Sequence, residues 1–517
     1  MEQINTEALK KKILDLAIRG KLVEQDPNDE PASVLLEKIR VEKEELIQQK
    51  KIKRNKNESY IFKGDDGLYY EKFQDGTVKS IQDEIPFEVP EGWEWVRLSN
   101  VLKIIFGQSP KSDKVFDKYN KNTIEFHQGK SNFQNKIIGI SNKYADISSK
   151  IAEENSIVMS VRAPVGDINF TDRKITIGRG LCALKPISLK TDIDYIYSFL
   201  STQKSFLESK ATGTTFKSIN SDQINNILVP FPPLNEQIKI SSNIDLIFEM
   251  INEISTLQNE LFKLNNKVKQ LALNLAMQGK LIPQDPNDEP ASVLLEKIKE
   301  EKEKLIKEGK IKRNKKESAI IRRGESYYEL LDGEEKDITD EIPYSIPSNW
   351  EWTKLNYIFE VTSSKRVFKH EWTTEGIPFY RAREIVKFNK NEKLIDPIFI
   401  SNTTYLEKKR ISGIPCINDL LITGVGTIGV PYIVTDDEPF YFKDGNIIWL
   451  KNIYNINPKF IFYLFDSIKF KHLLSIGSNK TTVDTLTITR ANELYIPLPS
   501  LREQIRIVKK LEAIQNV

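Results

Sequence analysis

The chain has 517 residues, of which 39% are hydrophobic and 29% are charged. At roughly 150 residues per domain, this length predicts three or four structural units, and the composition excludes a wholly disordered chain. Lys and Arg (76) nearly balance Asp and Glu (73), so the net charge of +3 excludes a uniformly basic coat, and a nucleic-acid surface has to come from local clusters of charge.

Cysteine and histidine are too few to build a disulfide framework or a zinc site. Cys182 and Cys416 are the two cysteines, which indicates a reducing compartment. His127, His370 and His472 lie far apart, without the spacing of metal ligands. No apolar run reaches the roughly 18 residues that span a bilayer, and the first residues lack the basic and apolar segments of a secretory signal. We therefore expect a cytoplasmic protein without a metal site.

The dominant feature of the chain is an internal repeat. Residues 20–59 and 279–318 are identical at 31 of 40 positions, at a constant offset of 259. The central shared block, residues 232–318, matches the C-terminus with its first part and the N-terminus with its second part. We therefore expect head and tail to meet and to close the chain into a ring with approximate two-fold symmetry. Three shorter motifs also recur, namely Asp-Glu-Ile-Pro (83–86 and 340–343), Trp-Glu-Trp (93–95 and 350–352) and Pro-x-Leu-x-Glu-Gln (232–237 and 499–504).

The shared block is predicted to be helical. Apolar residues follow a heptad pattern from Ile244 to Leu275, so one helix should run from Leu234 to Gly279, a length of roughly 69 Å at 1.5 Å per residue. Gly20 and Gly279 suit the position that ends a long helix. An apolar stripe on so long a helix needs a partner, and its own duplicate in antiparallel orientation is the simplest one. A second, shorter helix is expected after each glycine, over residues 32–48 and 291–307.

The diverged blocks, residues 83–231 and 340–498, are predicted to be α+β domains. Residues 424–429 match the Gly-x-Gly-x-x-Gly fingerprint, but a strand-like run follows them instead of a helix, which favours a turn between strands over a cofactor loop. A helix is expected near the end of each block, over residues 195–205 and 458–474. Short β-rich runs are predicted at residues 155–160, 175–177, 419–423, 431–434 and 446–450.

The sequence carries no motif that indicates catalysis. It has no phosphate-binding Gly-x-x-x-x-Gly-Lys-Ser/Thr loop, no Asn-Pro-Pro-aromatic motif of amino-methylation and no Gly-x-Ser-x-Gly elbow. No acidic pair with a nearby Lys resembles a nuclease site. We therefore interpret the chain as non-catalytic.

Two basic runs, residues 50–56 and 310–316, follow the shorter helices. They could neutralise DNA phosphates or keep a linker solvated, and charge alone leaves both interpretations open. The tryptophan pairs at residues 93–95 and 350–352 are interpreted as core anchors rather than base-stacking platforms, because they stand beside Pro at the entry to each domain.

Loops with small hydroxyl side chains and cations occur at matching places in the two halves. Hydroxyl groups, Lys and Arg hold DNA phosphates, and Arg and Gln can reach base edges, although any one such loop could equally be an ordinary turn. Their recurrence in both halves favours DNA contact. The candidate DNA-binding residues are Gln108, Ser109, Lys111, Ser112, Arg162, Thr214, Thr215, Lys217, Ser363, Ser364, Lys365, Arg366, Lys480 and Thr481.

Together these features resemble the specificity (S) subunit of a type I restriction–modification system. The resemblance is carried by the run Gly-Lys-Leu-Ile-Pro-Gln-Asp-Pro-Asn-Asp-Glu-Pro-Ala-Ser at residues 279–292 and by the order of the three recurring motifs. It covers essentially the whole chain. The implied division is an N-terminal helical repeat (1–59), a first target recognition domain (60–231), a central helical region (232–318), a second target recognition domain (319–498) and a C-terminal helix that pairs with the N-terminal region (499–517).

The resemblance also implies a function. In this family each recognition domain reads one half of a bipartite, asymmetric DNA site, and long antiparallel coiled-coil helices set the spacing between the halves. Two methyltransferase (M) subunits dock on the helices, and two restriction (R) motor–nuclease subunits complete the assembly. S-adenosylmethionine, ATP and Mg²⁺ are expected on those partners and none in this chain. The short C-terminal helix departs from the fullest family pattern.

Two rival classes remain open at this point. A coiled-coil scaffold would share the helices but would not bind DNA. A self-contained DNA methyltransferase or nuclease would need the catalytic motifs that this sequence does not contain.

Overall fold

A computed structural model of the chain describes residues 4–55, 58–147, 149–212, 217–311, 313, 318–475 and 485–515. The chain divides into two compact units, Met1–Glu260 (unit 1) and Leu261–Val517 (unit 2). The division falls inside one helix of 44 residues, so the first part of that helix belongs to unit 1 and its second part to unit 2. Among the described residues, no helix is both long and apolar enough to cross a membrane.

Unit 1 consists of a sheet-rich domain flanked by helices. Its helices are α1 (Thr6–Ile18), α2 (Ala32–Gln48), α3 (Leu98–Val101), α4 (Ile193–Thr202), α5 (Lys204–Lys210), α6 (Ser221–Asn225) and the first part of α7 (Leu234–Met277). Its strands are β1 (Ser59–Lys63), β2 (Tyr69–Phe73), β3 (Val78–Ser80), β4 (Glu94–Arg97), β5 (Leu102–Phe106), β6 (Val115–Phe116), β7 (Thr123–His127), β8 (Tyr144–Asp146), β9 (Ile151–Ala152), β10 (Ser156–Ser160), β11 (Ile168–Thr171), β12 (Ile175–Ile177), β13 (Leu181–Pro186) and β14 (Leu228–Phe231).

Two sheets form the part of unit 1 between β5 and β13, beside the smaller sheets of β1, β2 and β3 and of β4 with β14. Strands β11, β10, β13 and β5 form an antiparallel sheet in that order, and β6, β8, β7, β12 and β9 form the second sheet. Strand β10 is buried along its whole length. Successive side chains of a strand point to opposite faces, so both faces of the sheet are covered at this strand. Ile157 and Met159 join the core cluster that contains Tyr195 of α4, whereas Val158 joins the cluster that contains Ile177 of β12.

Unit 2 repeats this order of elements. After the second part of α7, its helices are α8 (Ala291–Lys307), α9 (Leu355–Ile358), α10 (Ala382–Asn389), α11 (Asn402–Ser412), α12 (Pro458–Asp466), α13 (Ile468–Ser475), α14 (Ile488–Asn492) and α15 (Leu501–Gln515). Its strands are β15 (Ala319–Arg323), β16 (Ser326–Leu331), β17 (Glu334–Asp337), β18 (Glu351–Lys354), β19 (Glu360–Thr362), β20 (Trp372–Thr373), β21 (Ile377–Tyr380), β22 (Phe399–Ile400), β23 (Leu420–Thr423), β24 (Pro431–Ile433), β25 (Tyr441–Phe442), β26 (Ile447–Lys451) and β27 (Tyr495–Leu498).

The sheets of unit 2 correspond to those of unit 1. The order β19, β26, β23 and β24 repeats the order β5, β13, β10 and β11, and the parallel pair β21 and β25 stands where β7 and β12 stand in unit 1. Between β21 and β23, unit 2 carries α10, β22 and α11, whereas unit 1 carries β8 and β9 between β7 and β10. Strand β22 pairs with β21 as β8 pairs with β7, so the two helices and β9 are what differs. The duplicated domains therefore share a framework and differ in what is inserted into it.

The structure confirms most of the predicted elements. Helices α2 and α8 have the predicted bounds, and residues 424–429 form a turn between the antiparallel neighbours β23 and β24. The single helices predicted over residues 195–205 and 458–474 are wrong, because the chain breaks the first at Gln203 into α4 and α5 and the second at Ser467 into α12 and α13. Ser467 is extended, with ψ of 140°, and its hydroxyl accepts the N–H of Phe470 at 3.3 Å, so it caps the second helix.

In unit 1, α1 packs antiparallel on the first part of α7. Gly20, just past the end of α1, lies against Trp93, whose indole N–H donates to Glu236 at the start of α7 at 2.8 Å. Near the other end of the pair, the ammonium group of Lys10 lies 5.9 Å from the ring centroid of Phe248. One core cluster includes Ile18 of α1 with Ile240 and Ile244 of α7.

In unit 2, the second part of α7 packs antiparallel on α15. Gln284, just past α7, donates to Glu503 at the start of α15 at 2.7 Å, whereas Lys269 inside α7 donates to the carbonyl of Gln515 at the end of α15 at 2.8 Å. By the offset of the repeat, α1 is the copy of the second part of α7, and α15 is the copy of its first part. The prediction that the long helix pairs with its own duplicate in antiparallel orientation is therefore confirmed in each unit.

Gly20 and Gly279 end their helices as predicted. Both lie in the left-handed region, with φ of 64° and 66°, and the N–H of Lys21 donates to the carbonyl of Leu16 at 2.8 Å in the manner of a Schellman cap. Gly20 is also closely packed, because an added Cβ would lie 2.4 Å from Cγ of Pro90. The position therefore requires glycine for its conformation and for its space.

Replacing Gly20 with Ala should lower the free energy of unfolding by about 2–4 kcal/mol, because left-handed strain and the displacement of Pro90 add together. Gly67→Ala is the matched control, since Gly67 has φ of 79° and no atom within 4 Å of an added Cβ. It should lose about 1 kcal/mol from strain alone. Chemical denaturation of the purified chain measures both losses, and equal losses would contradict the role of the packing.

Candidate nucleic-acid interface

The Gln of each Pro-x-Leu-x-Glu-Gln motif joins a helix to the domain that precedes it. The side-chain carbonyl of Gln237 accepts the N–H of Asp192, which caps α4, at 2.8 Å, and its amide donates to the first Pro of the motif at 2.8 Å. Gln504 accepts the N–H of Asn457, which caps α12, at 3.1 Å and donates to the first Pro of its own motif at 3.0 Å. The motif is therefore a structural joint that fixes each domain on its helix.

The predicted DNA-facing loops of unit 1 leave the four-stranded sheet at one edge. Because the strands are antiparallel, the end of β5 lies beside the start of β13, and the start of β13 lies beside the end of β10. The registers place Phe106 opposite Cys182 and Leu181 opposite Ser160. The loops that follow β5 and β10 therefore meet the turn that precedes β13.

Backbone hydrogen bonds hold these loops together. The N–H of Gly107 donates to the carbonyl of Leu181 at 2.9 Å, and the N–H of Val161 donates to the carbonyl of Gly180 at 2.9 Å. Gly107 leaves no room for a side chain, because an added Cβ would lie 2.2 Å from the carbonyl oxygen of Gly178. The edge is therefore a closely packed backbone surface from which side chains project.

Two residues that the sequence analysis missed stand at the centre of this edge. Gln128 follows β7, and its amide donates to the hydroxyl of Ser109 at 2.8 Å. Arg179 occupies the turn between β12 and β13, and an added Cβ on the next residue, Gly180, would lie 2.6 Å from the carbonyl oxygen of Gln128. The parallel pairing of β7 with β12 brings these residues together. In the sequence, the Gly-Arg-Gly triplet at residues 178–180 was the one local sign of a functional turn.

Cationic side chains project from this edge into solvent. Lys111, Arg162, Arg179 and Lys217 are all exposed, and within the described ranges no ion pair or side-chain hydrogen bond engages them. Arg162 and Lys217 are neighbours, because the N–H of Ala163 donates to the carbonyl of Lys217 at 3.0 Å. Unpaired cations on a packed edge suit contact with phosphates, and Arg and Gln also suit contact with base edges.

These residues of unit 1 form the first recognition edge. Ser112 is exposed on the same loop as Lys111. The predicted residues Thr214 and Thr215 lie outside the described residues. The first recognition edge comprises Gln108, Ser109, Lys111, Ser112, Gln128, Arg162, Arg179 and Lys217.

An ion network braces the strand that presents Gln128. Arg173 donates through Nε and Nη2 to both carboxylate oxygens of Glu125 at 2.7 and 2.8 Å, and the N–H of Ser141 and the ring of His127 also bond to this carboxylate. Burial raises the pKa of the Glu125 carboxyl, but these bonds outweigh it, so the pKa lies below its ordinary value. Burial lowers the pKa of His127, which is 1% exposed.

Unit 2 places its predicted loop at the equivalent edge. The loop follows β19, and the register of β23 with β26 places Thr423 opposite Ile447. The hydroxyl of Ser363 donates to the carbonyl of Ile447 at 2.7 Å, and the buried hydroxyl of Ser364 donates to the carbonyl of Phe442 at 2.6 Å. Both hydroxyls are therefore used inside the domain, where they hold the loop against the sheet.

The cations of this loop differ in their surroundings. Lys365 is exposed, and its ammonium group has no partner within the described ranges. Arg366 donates through Nε to Asp444 at 3.0 Å, and Asp444 lies in the turn between β25 and β26. The second recognition edge comprises Lys365, Arg366 and Asp444. The predicted residues Lys480 and Thr481 lie outside the described residues.

The family model of the type I restriction modification DNA specificity domain matches this chain twice, over residues 90–263 and 347–517. The chain belongs to this family. The specificity subunit of the type I restriction enzyme EcoAI from Escherichia coli is 29% identical, over 98% of this chain and 88% of its own length. That of EcoEI, also from E. coli, is 30% identical, over 68% of this chain and 61% of its own length. The HsdS subunit from Thermoanaerobacter tengcongensis shares 24% identity over 49% of this chain and 51% of its own, with a TM-score of 0.30.

As a specificity subunit, the chain is a non-catalytic component of a type I restriction–modification complex. Its fold class is that of two recognition domains joined by a coiled coil, and each family match covers one sheet-rich domain with the helix that closes it. The resemblance drawn from the sequence motifs is therefore confirmed.

The paired tryptophans and two arginines of the basic runs have structural roles. All four tryptophans of the Trp-Glu-Trp motifs are at most 4% exposed, which confirms that they are core anchors. In the basic runs, Arg54 donates to Glu44 of α2 and Arg313 donates to Glu303 of α8, each at 2.7 Å from Nη1. These arginines fasten the linkers to the helices, which favours the structural interpretation for them.

Replacing Glu125 with Gln should destabilise the specificity subunit at pH 7 by about 2 kcal/mol, less than for a fully buried pair because Arg173 is 31% exposed. The folded pKa of Glu125 lies below its ordinary 4.5. The loss should therefore be fully present above pH 4.5 and should vanish as the pH falls through the folded pKa. Denaturant titrations at several pH values measure it, with Asp172→Asn, on the exposed side of Arg173, as the control. A loss that does not change with pH would contradict the ion pair.

Proposed function

We propose that this specificity subunit selects the DNA sequence on which a type I restriction–modification complex acts. Unit 1 reads one half of a bipartite, asymmetric site, and unit 2 reads the other half. The observation that carries the proposal is the pair of recognition edges, which stand on the same sheet topology and carry different side chains. Two unlike readers on a duplicated framework select a non-palindromic sequence.

The chemistry of the edges supports contact with duplex DNA. The exposed cations of the first recognition edge supply phosphate contacts, which weaken as salt rises because the release of bound counterions then gains less free energy. Arg179 and Gln128 add side chains that can pair with the acceptor and donor patterns of the major groove. The phosphate contacts therefore give affinity that does not depend on the DNA sequence, and the base contacts give affinity that does.

The duplicated helices support two equivalent docking surfaces for partner subunits. Each unit carries the same antiparallel helix pair, followed by α2 in unit 1 and by α8 in unit 2. Two copies of one surface recruit two copies of one partner, here two methyltransferase (M) subunits, and two restriction (R) motor–nuclease subunits complete the complex. S-adenosylmethionine, ATP and Mg²⁺ then belong to those partners, and the complex works on DNA in the cytoplasm.

Helix α7 acts as the spacer between the two readers. It continues from unit 1 into unit 2 over 44 residues without a loop. A helix of fixed length converts the distance between two DNA-reading elements into a permitted half-site spacing, as in dimeric DNA-binding proteins.

Exchanging residues 83–231 for the equivalent block of another specificity subunit should change one half of the methylated sequence and leave the other half intact. The reason is that the first recognition edge lies wholly within this block. Single-molecule methylome sequencing of cells that carry the gene with its M partner reads out the change. The matched exchange of residues 340–498 should change the other half only. A change in both halves from one exchange, or in neither, would contradict the proposal. If the subunit showed no salt-sensitive binding to DNA, the scaffold interpretation would be favoured instead.

Inserting four helical residues after Gln258 should lengthen the permitted spacing between the half-sites by about two base pairs, because four residues add roughly 6 Å of helix. Residues 251–259 lack a counterpart in α1 and α15, so the insertion avoids both helix pairs. Four residues inserted between Asp332 and Gly333, in the turn between β16 and β17, form the control and should leave the spacing unchanged. The same methylome measurement reports both, and an unchanged spacing in the first variant would remove the spacer role of α7.

A further inference from the structure

Arg366 is the cation of the second recognition edge whose orientation is fixed by another side chain. Its Nε donates to Oδ2 of Asp444 at 3.0 Å, and Asp444 is held in the turn between β25 and β26. The loop that carries Arg366 is itself fixed, since Ser363 and Ser364 donate to backbone carbonyls of the sheet and the N–H of Lys365 donates to the hydroxyl of Tyr441 at 2.8 Å. Both ends of the ion pair therefore stand on closely packed backbone.

The hydrogen bond to the carboxylate uses Nε and neither terminal nitrogen of this guanidinium group. The Arg366 side chain is 68% exposed, whereas Asp444 is 18% exposed. Within the described part of the chain, no hydrogen bond engages Nη1 or Nη2 of Arg366. An Arg held through Nε keeps its two terminal nitrogens available as a planar fork of donors, and part of the entropy of ordering that fork has already been lost in the free protein.

A fork of two donors fits two DNA partners, and the carboxylate decides between them. The N7 and O6 atoms of guanine form a pair of acceptors in the major groove, and a phosphate group also offers two oxygens. The charge of Asp444 directly behind the guanidinium opposes a phosphate but not the uncharged edge of a base. Lys365, the neighbouring cation, has no carboxylate partner among the described residues and is therefore the better phosphate contact.

Resting on the proposed function, we propose that Arg366 reads the guanine of a G·C pair in the half-site recognised by unit 2, and that Asp444 is the positioning residue that orients it. The two halves of the chain differ at this point. In unit 1 the equivalent turn carries Arg179 itself, and no carboxylate engages it within the described residues. An Arg oriented by a carboxylate is therefore a feature of the second recognition edge.

The test compares Arg366→Lys, Asp444→Ala and Lys365→Ala in the full specificity subunit with its M partner. Each variant is given a pool of DNA in which the second half-site is randomised and the first is fixed, and the methylated products are sequenced. Arg366→Lys should reduce the preference for a G·C pair at one position by roughly 5- to 150-fold, because Lys cannot form the fork. Asp444→Ala should relax the same position by a smaller factor, since the fork is present but no longer oriented.

Lys365→Ala supplies the matched control for a phosphate contact. It should weaken binding to all sequences alike and reduce the salt slope by about one, without changing any base preference. Methylation directed by the first half-site should keep its sequence preference in every variant, which shows that the subunit is folded. If Arg366→Lys unfolds the subunit, the base preference of the Asp444→Ala variant alone tests the proposal.

Three outcomes would overturn the inference. They are a second half-site without a G·C pair, an unchanged preference in both the Arg366 and Asp444 variants, and an Arg366→Lys variant that behaves like Lys365→Ala. A wild-type subunit that yields no bipartite motif at all would instead overturn the proposed function, so the two failures are distinguishable.

Discussion

Each unit is closed by the packing of its last helix on its first, and the rest of the structure depends on that contact. In unit 1 the contact buries Glu236, and this burial raises the pKa of its carboxyl, although the hydrogen bond from Trp93 lowers it in part. In unit 2 burial raises the pKa of Glu503 in the same way, and Gln284 donates to it. A carboxyl group is buried at acceptable free energy only with its donors in place. The helix pair, the Trp-Glu-Trp entry and the segment after the first helix therefore have to form together.

The same contact explains the length of α7. Each unit is one repeat, and its two ends pair with each other, so the end of the first repeat runs directly into the start of the second. The fusion produces one helix whose two parts copy α15 and α1. The central block looks shared with both termini because it contains one end of each repeat. A repeat that begins and ends with a helix in this way needs no linker between its copies, since one continuous helix joins them.

Local signals in the sequence were enough to predict the framework. The contacts that the sequence analysis missed depend on pairing between segments far apart in the chain. The bounds of α2 and α8 could be predicted because Pro starts each helix and the apolar spacing is regular. Gln128 and Arg179 could not be brought together, because the parallel pairing of β7 with β12 joins segments far apart in the chain. The partnership of Arg366 with Asp444 was hidden for the same reason. Ser363 and Ser364 looked like phosphate contacts because a hydroxyl group in a loop gives no sign of whether it faces solvent or a backbone carbonyl.

Specificity can diverge on this framework because the side chains proposed to read DNA contribute little to its stability. Exposed substitutions generally change the free energy of unfolding by less than about 0.5 kcal/mol, so the cations of both recognition edges are free to vary. The residues behind them are not, since Gly107 has no room for a side chain and Glu125 neutralises Arg173. Asp444 stands between the two groups, because it is partly exposed, yet it holds the side chain that we propose to contact DNA. A change of recognition sequence can therefore arise at a residue that never contacts a base, provided that it holds one that does.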